Sequence, residues 1–412
     1  MSGPQSHASM GASATAARLL AESAPWLYDV RRMEAAAVPS MPVDTATCEE
    51  ERVTEGLSSP EIVVRPMRAD EKPAVRRIAF RAFSLLARVF FSWGDTALVA
   101  EGDGKLLGGV VLETFDLGRQ RKAGFVAWIF ADPTAQGIGV GQRLIEAALA
   151  HFEAEGCEEV LAGVEGHNTS SSKLFATRGF GILSPAAQWR RYGWRLPLVW
   201  WHTFHVMDVG HLLWGQPPAT EQDSPAAQWG ATLLANVLLA WIGVRAWGAG
   251  SWLPWLAAAA ATVVLLGARW VGMLLAARAQ GLRVRYRAWE SGFPLSLAIA
   301  LLFRGLYPVP GGLYPQGHDW RYRELTPQLG RMALAGVAGP LALLWLAWGS
   351  SGVPAVSAIL PYVYYVGIPL IVVDVLAPFF PLACYNGRRL WDWSRPVWVV
   401  AAALVVALIA VA

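Results

Sequence analysis

The sequence predicts an α+β domain, with a mixed central sheet flanked by helices, followed by an all-α polytopic membrane domain. Charged residues are frequent up to about residue 196, and within 61–195 short strand-like and helix-like patterns alternate. Beyond residue 229 the chain consists largely of long segments of Ala, Leu, Val and Trp. Because the chain is 54% hydrophobic, it is too apolar for an ordinary soluble protein, and the excess belongs in a bilayer.

The same contrast divides the chain into four regions. Residues 1–58 are rich in Ser, Ala, Pro and Glu, and we expect them to be disordered apart from a short amphipathic segment. Residues 59–195 form the α+β domain. Residues 196–228 are a Trp- and His-rich linker that we expect to lie in the membrane interface, and residues 229–412 form the transmembrane domain.

The elements of the α+β domain follow from local patterns. In chain order we expect a strand at 62–65, a helix near 70–86, a hairpin of 97–100 and 105–114, a strand at 123–130, a helix at 142–155, a strand at 159–164, a helix at 169–176 and closing strands between 181 and 195.

A glycine-rich turn at residues 136–141 joins the fourth strand to the next helix. Such a turn leaves several backbone N–H groups converging on one point, with the positive end of the helix dipole behind them. Gly137, Gly139 and Gly141 can adopt positive φ and let a ligand approach the backbone closely. The sequence predicts a pyrophosphate site here, and an ordinary tight strand-to-helix connection is the alternative.

Two motifs in this order resemble the GCN5-related N-acetyltransferase (GNAT) family. The first is Gln-x-x-Gly-x-Gly at 136–141, and the second runs from Asn168 through Leu174 and Phe175 to Gly179 and Phe180, similar to the family's N-x5-L-Y-x3-G-F. The resemblance covers residues 61–195. It implies the acetyltransferase fold and transfer of an acetyl group from acetyl-coenzyme A, as co-substrate, to an amine, with no metal ion.

The resemblance also implies which residues bind acetyl-coenzyme A. In the family a splayed strand offers backbone groups to the pantetheine arm, the glycine turn holds the pyrophosphate, and the asparagine binds the pantetheine. Carried over, the binding residues are Ile129, Phe130, Ala131, Gln136, Gly137, Ile138, Gly139, Val140, Gly141, Gln142, Asn168 and Phe175. Asn168 could equally be a helix N-cap.

The acid and base of an acetyl transfer are less evident. The family often supplies the acid as a tyrosine at the position of Phe175, which has no hydroxyl to donate. Candidate bases are Glu113 on the hairpin and Glu165 and His167 at the end of a strand, although each could be a solvated surface residue.

Five membrane spans are predicted, at 231–247, 252–276, 332–348, 356–376 and 397–412. A shorter apolar segment at 294–303 either crosses the bilayer or enters and leaves it on the same side. A re-entrant segment places every arginine cluster on the cytoplasmic side, as the positive-inside tendency prefers. We therefore predict a multi-pass protein of a bacterial inner membrane with a re-entrant segment and a cytoplasmic N-terminal domain. The net charge of +3 indicates lipid rather than nucleic acid as its partner.

The segments at 287–289, 307–312, 335–340 and 378–390 resemble the site-2 protease family of intramembrane zinc proteases. Those proteases bind zinc through HExxH and a later Asp. Here the first motif falls on residues 269–273 and the Asp falls on Asn386, so no zinc ligand survives. His202, His205 and His211 with Asp208 are candidate metal ligands, but an interfacial helix rich in aromatic residues and histidines fits them better.

These observations predict a membrane-anchored N-acetyltransferase acting on an unidentified amine near the membrane surface. The alternative is a non-catalytic acyl-coenzyme A sensor coupled to an inactive protease-like scaffold. Active membrane proteolysis is physically implausible because the zinc ligands are missing.

Overall fold

The N-terminal half is built around one mixed sheet. The computed structural model describes residues 61–118, 120–206, 208–221, 223–245, 251–317, 320–379 and 384–412, so the prediction for residues 1–58 lies outside the described residues. The elements of this half are β1 (Val63–Pro66), α1 (Lys72–Ala82), α2 (Leu85–Phe90), β2 (Thr96–Gly102), β3 (Lys105–Gly118), β4 (Arg121–Ala131), α3 (Val140–Ala154), β5 (Glu159–Glu165), α4 (Thr169–Ala176), β6 (Gly181–Ile182), α5 (Pro185–Tyr192), α6 (Leu196–His202) and β7 (His211–Gln216).

The described strands form a seven-stranded sheet in the order β1-β2-β3-β4-β5-β7-β6. Strands β4 and β5 are parallel, and the other neighbours are antiparallel. Helix α3 supplies the crossover that a parallel pair requires. Its buried residues recur at intervals of one helical turn and form a single core with the sheet; they are Val140, Leu144, Ile145, Ala148 and Phe152. The predicted mixed sheet flanked by helices is confirmed.

The opposite face of the sheet is covered by other helices. Val75 and Ile78 of α1 pack against Val111 of β3. Farther along the sheet, Leu196 and Val199 of α6 pack in a second cluster with strand residues of β5 and β7. Both faces are therefore closed by helices, as expected for a sheet with a crossover connection.

Strand β7 corrects the predicted domain boundary. It pairs with β5 along residues 211–216 and with β6 on its other edge, and Leu213 and Trp214 are almost fully buried. These residues belong to the sheet, so the predicted interfacial linker at 196–228 is wrong there. Within the described residues of 181–195, the predicted closing strands reduce to Gly181–Ile182, because Pro185–Tyr192 is helical. A strand buried on both faces is continuously apolar, and that pattern resembles an interfacial belt.

The C-terminal half is mainly helical. Its elements are α7 (Pro225–Arg245), α8 (Leu253–Ala279), β8 (Val284–Arg287), α9 (Gly292–Phe303), β9 (Gly312–Pro315), α10 (Tyr322–Gly349), α11 (Pro354–Ile371) with a π-helical continuation (Val372–Leu376), α12 (Asn386–Trp393) and α13 (Arg395–Val411). Strands β8 and β9 form a two-stranded antiparallel sheet, which the predicted all-α domain did not include.

Within the described residues, four helices are long and apolar enough to cross a membrane. They are α7, α8, α10 and α11 with its continuation, and they match four of the predicted spans. The fifth predicted span corresponds to α13, a shorter apolar helix of 17 residues. The predicted re-entrant segment is the 12-residue helix α9, whose path through a bilayer stays a prediction.

The two halves pack directly on one another within one compact unit, Ser58–Ala412. A side chain at Gly166, just after β5, would collide with the ring of Tyr314 on β9, and one at Gly210 would collide with Cys384. Only glycine permits these approaches. The carboxyl end of β5 therefore faces the membrane half.

Candidate active site

Strands β4 and β5 separate partway along their length. Their pairing ends at Val126 and Ala162, although β4 continues to Ala131 and β5 to Glu165. At the same point the register of β3 against β4 shifts, which leaves Ala127 as the extra residue of a bulge. Bulges bend a strand and re-aim its backbone. The sheet thus opens a wedge beside residues 127–131, as the sequence predicted for the pantetheine arm.

The glycine turn lies at the head of this wedge. Gly137 and Gly139 have φ of +89° and +90°, conformations that L side chains rarely adopt. Gly139 is the N-cap of α3, and no side chain of a described residue caps that end. The first N–H groups of a helix have no acceptor within it, and the helix dipole makes this end positive. The turn therefore has the properties of an anion site.

The other predicted cofactor-binding residues contribute mainly backbone. The side chain of Phe130 is buried against Phe83, with ring centroids 5.5 Å apart. Ile129 and Ala131 pack against the core on the α3 side. Ile138 is exposed at the turn itself. A ligand in the wedge would meet peptide groups of 129–131 rather than these side chains.

The second motif is a helix start. Asn168 caps α4, since its Oδ1 accepts a hydrogen bond from the backbone N–H of Ser171 at 3.1 Å. The alternative N-cap role of Asn168 is thus confirmed, and contact with pantetheine stays a prediction. Phe175 is 2% exposed and packs edge-on against Phe180 at 5.0 Å. It acts as a core residue and offers no proton.

Two of the predicted bases occupy one face of the sheet. Glu113 alternates with Val111, and Glu165 alternates with Leu161, so both carboxylates lie on the face opposite α3. Glu113 is half-buried, and its pKa is raised first by that burial and then by the negative charge of Asp95. Glu165 is partly exposed at the end of β5.

The third predicted base, His167, is buried between the two halves. Its ring lies 5.2 Å from that of Tyr314 and 5.1 Å from that of Tyr322, and its Nε2 accepts a hydrogen bond from Nε of Arg389 at 3.2 Å. Burial lowers the pKa of His167 well below 6.5, and the charges of Arg389 and Arg388 lower it further. The geometry gives no support to His167 as a base.

His211, which the sequence analysis considered only as a metal ligand, lies beside Glu165. His211 pairs in register with Glu165 across β5 and β7, and its Nδ1 lies 2.7 Å from Oδ1 of Asp208. Burial lowers the pKa of His211, but the carboxylate of Asp208 and then that of Glu165 outweigh it, so the pKa is raised above 6.5. The sequence feature that could have indicated this pair is Asp208, three residues before His211, at the start of the apolar run 212–214.

The remaining histidines lie in separate environments. His202 stacks on Phe115, with centroids 4.6 Å apart, and His205 Nε2 lies 3.1 Å from Oε1 of Glu290. Among the described residues there is no group of three or more His, Cys, Asp or Glu side chains that could hold a metal ion.

A buried ionic cluster connects three segments of the C-terminal half: α8, the π-helical continuation of α11, and α12. Arg269 on α8 donates from Nε and Nη2 to the two carboxylate oxygens of Asp374, at 3.0 and 2.9 Å. Asn386 at the start of α12 donates from Nδ2 to Asp374 at 2.8 Å. Arg269 and Asn386 thus both contact the carboxylate of Asp374. These are the two positions that align with zinc ligands in the predicted resemblance to site-2 proteases.

The fold and the wedge define the class of the N-terminal half. Residues 63–180 match the model of the Acetyltransferase (GNAT) family. The chain therefore carries a GNAT domain over these residues, which confirms the resemblance seen in the sequence. The match ends before β7.

Among curated proteins, the chain is similar to mycothiol acetyltransferases. It is 40% identical over 60 residues to that of Geodermatophilus obscurus, which covers 15% of this chain and 20% of the relative. It is 30% identical over 166 residues to that of Saccharopolyspora erythraea, which covers 36% of this chain and 52% of the relative. The chain thus spans a fifth to about half of these relatives' lengths.

Among solved structures, the chain is similar to the IAA acetyltransferase from Bacillus cereus. The sequence identity is 21%, the TM-score is 0.25, and the similarity covers 30% of this chain and 79% of that structure.

Proposed function

We propose that this protein is a membrane-anchored, acetyl-coenzyme A-dependent N-acetyltransferase that acetylates an amine near the membrane surface. The observation that carries the proposal is the wedge between β4 and β5 with the positive-φ glycine turn at its head. Peptide groups along 129–131 can pair with an extended amide-bearing arm, and the N-terminus of α3 can hold a diphosphate. Holding the thioester and the amine together supplies much of the rate in such a transfer.

The base in this proposal is the pair Glu165 and His211. In an acetyl transfer the amine nitrogen bonds to the thioester carbonyl carbon, the carbon–sulfur bond breaks, and the amine's proton leaves to a base. Glu165 lies at the end of β5, which borders the wedge, and His211 lies beside it on β7, with both side chains on the face opposite α3. Asp208 orients His211 by ion pairing with Nδ1, which leaves Nε2 for the proton. Glu113 is the second candidate on that face.

The test of the site uses the full chain in detergent. In the variant Gly139→Val the side chain forces the backbone out of its positive φ and fills the space above the turn, so we expect acetyl-coenzyme A affinity by calorimetry to fall by about 100-fold or more.

The matched control is Gly104→Val. Gly104 also has positive φ, at +70°, and open space around it, but it lies in the β2–β3 turn. The control should bind as the unaltered chain does. Equal binding by both variants would remove the turn from the proposal.

A second candidate function, an acyl-coenzyme A sensor, is favoured by Phe175. The buried ring cannot protonate a departing thiolate. A sensor would bind acetyl-coenzyme A tightly and turn over no amine in a broad panel, including membrane-associated amines. An N-acetyltransferase would release free thiol in proportion to acetylated amine.

For the membrane half we propose a protease-like scaffold without zinc, with the N-terminal domain cytoplasmic in a bacterial inner membrane. The convergence of Arg269, Asp374 and Asn386 supports it, since a guanidinium fills the space where a zinc ligand would lie. Metal chelation should leave acetyl-coenzyme A binding and thermal stability unchanged. Loss of either on chelation would contradict the zinc-less scaffold and leave the acetyltransferase proposal standing.

A further inference from the structure

A cavity of about 550 Å³ lies between the GNAT domain and the β8–β9 sheet. The GNAT side contributes Ser172 of α4 and Trp214 of β7, and the other side contributes Arg285, Arg287 and Trp320. No described lining residue belongs to the wedge or to the glycine turn at 127–142. The cavity is therefore distinct from the proposed coenzyme A site.

The wall of the cavity formed by β8 is strongly basic. Arg285 and Arg287 are two residues apart on one strand, so both side chains lie on the same face. The pKa of Arg287 is lowered to about 10, first by burial and then by the positive charge of Arg285. The described lining residues include no Asp or Glu, and the carboxylate that acts on Arg287, that of Glu290, lies outside the lining.

Arg285 also has unused hydrogen-bonding capacity. Its Nη2 donates to the backbone oxygen of Asp223 at 3.4 Å, but its buried Nε has no partner among the described residues. A buried N–H without an acceptor is costly, and an anion in the cavity would satisfy it. The arginine fork suits a group with several oxygens, such as a phosphate.

The position of the cavity indicates where such an anion comes from. Pro225, the first residue of the candidate span α7, lines it, and β8 follows shortly after the candidate span α8 ends at Ala279. Trp320 adds an indole ring to the lining, and indole rings are typical of the depth of lipid headgroups. Basic residues at this depth attract anionic lipids.

We propose that this cavity binds a phosphate group, either that of an anionic phospholipid headgroup or that of a soluble phosphate compound. Arg285 and Arg287 hold its oxygens, and the indole ring of Trp320 lines the approach. The site joins the GNAT domain to the β8–β9 sheet, so the bound anion ties the two halves together. This inference does not depend on acetyl transfer.

The test compares two probes on the full chain in detergent. Phosphatidylglycerol, with phosphatidylcholine as the neutral-headgroup comparison, is titrated by native mass spectrometry, and inorganic phosphate is titrated by calorimetry. The double variant Arg285→Gln with Arg287→Gln should weaken binding by about tenfold or more, because it removes two charge-assisted contacts.

The matched control is Arg283→Gln, an exposed arginine just before the same strand, which should change nothing. Circular dichroism and thermal unfolding establish that the double variant is folded. Selective phosphatidylglycerol binding lost in the double variant supports a lipid source, and phosphate binding alone, lost in the same way, supports a soluble source. Absence of binding by both probes, or binding that the double variant leaves unchanged, would overturn the proposal.

Discussion

At the residue scale, the neighbours of a side chain decide its properties, as two histidines and two glycines of this protein show. His167 and His211 lie at adjoining positions at the end of the sheet, but arginines surround the first and carboxylates surround the second. The pKa of one imidazole is therefore lowered and that of the other is raised. Gly139 and Gly104 share a positive φ, yet only Gly139 lies at a helix N-terminus.

The variant Asp208→Asn tests whether His211 is the base. A base must be neutral, so activity should rise with pH through the pKa of His211, which the carboxylate of Asp208 raises above 6.5. Removing that negative charge should move the acid limb of the profile of kcat/KM to lower pH. Asp103→Asn is the control, since this exposed carboxylate lies in the β2–β3 turn. If the acid limb of the kcat/KM profile is at the same pH in Asp208→Asn as in the unaltered protein, His211 is not the base.

At the scale of elements, the sequence predicted the sheet and the helices of the GNAT domain but not the pairing of β7. Periodicity identified α3 closely, because its apolar residues recur at one helical turn, whereas α4 was identified through the motif that begins at Asn168. Periodicity could not place His211–Gln216, because that pairing is set by contacts with β5, distant in the chain. The wedge was implied by the family resemblance, whereas the approach of His211 to Glu165 depends on the pairing of β7 and was not predicted.

The ion pair between α8 and the π-helical segment should matter for stability. Asp374→Asn leaves the guanidinium of Arg269 buried without its charge partner, and we expect a loss of about 3–5 kcal/mol in the free energy of unfolding. Combining it with Arg269→Gln should cost less than the sum of the two single changes. The measurement is chemical unfolding in detergent.

The control for that cycle is Glu324→Gln, which removes an exposed pair with Arg321 and should cost about 0–1 kcal/mol. A similarly small cost for Asp374→Asn would mean that water or another group compensates the buried arginine.

At the scale of the whole molecule, the two halves share buried contacts that no single-domain prediction included. Gly166, Gly210 and His167 each lie against a residue of the C-terminal half. The sequence analysis identified only His167 among them, as a candidate base. The domain boundary predicted near residue 195 rests on the change in amino-acid composition. In the structure the GNAT domain extends through β7, which ends at Gln216.

A truncation tests this boundary. A fragment of residues 58–195 lacks β7, and with it the buried side chains of Leu212, Leu213 and Trp214. Each contributes about 1.5–3 kcal/mol, which together is comparable to the stability of a whole domain. We expect this fragment to aggregate and to show no cooperative unfolding, whereas residues 58–221 should unfold with a detectable transition. A monomeric, cooperative 58–195 fragment would contradict the structural role of β7.

The place of β7 between β5 and β6 also constrains biosynthesis. The sheet cannot close until residues 211–216 have left the ribosome, and the first candidate span begins only nine residues beyond Gln216, at Pro225. Completion of the GNAT sheet and synthesis of the first described candidate span therefore fall within the same short interval of translation. A nascent chain that pauses in this interval would expose an unpaired sheet edge beside an uninserted apolar helix.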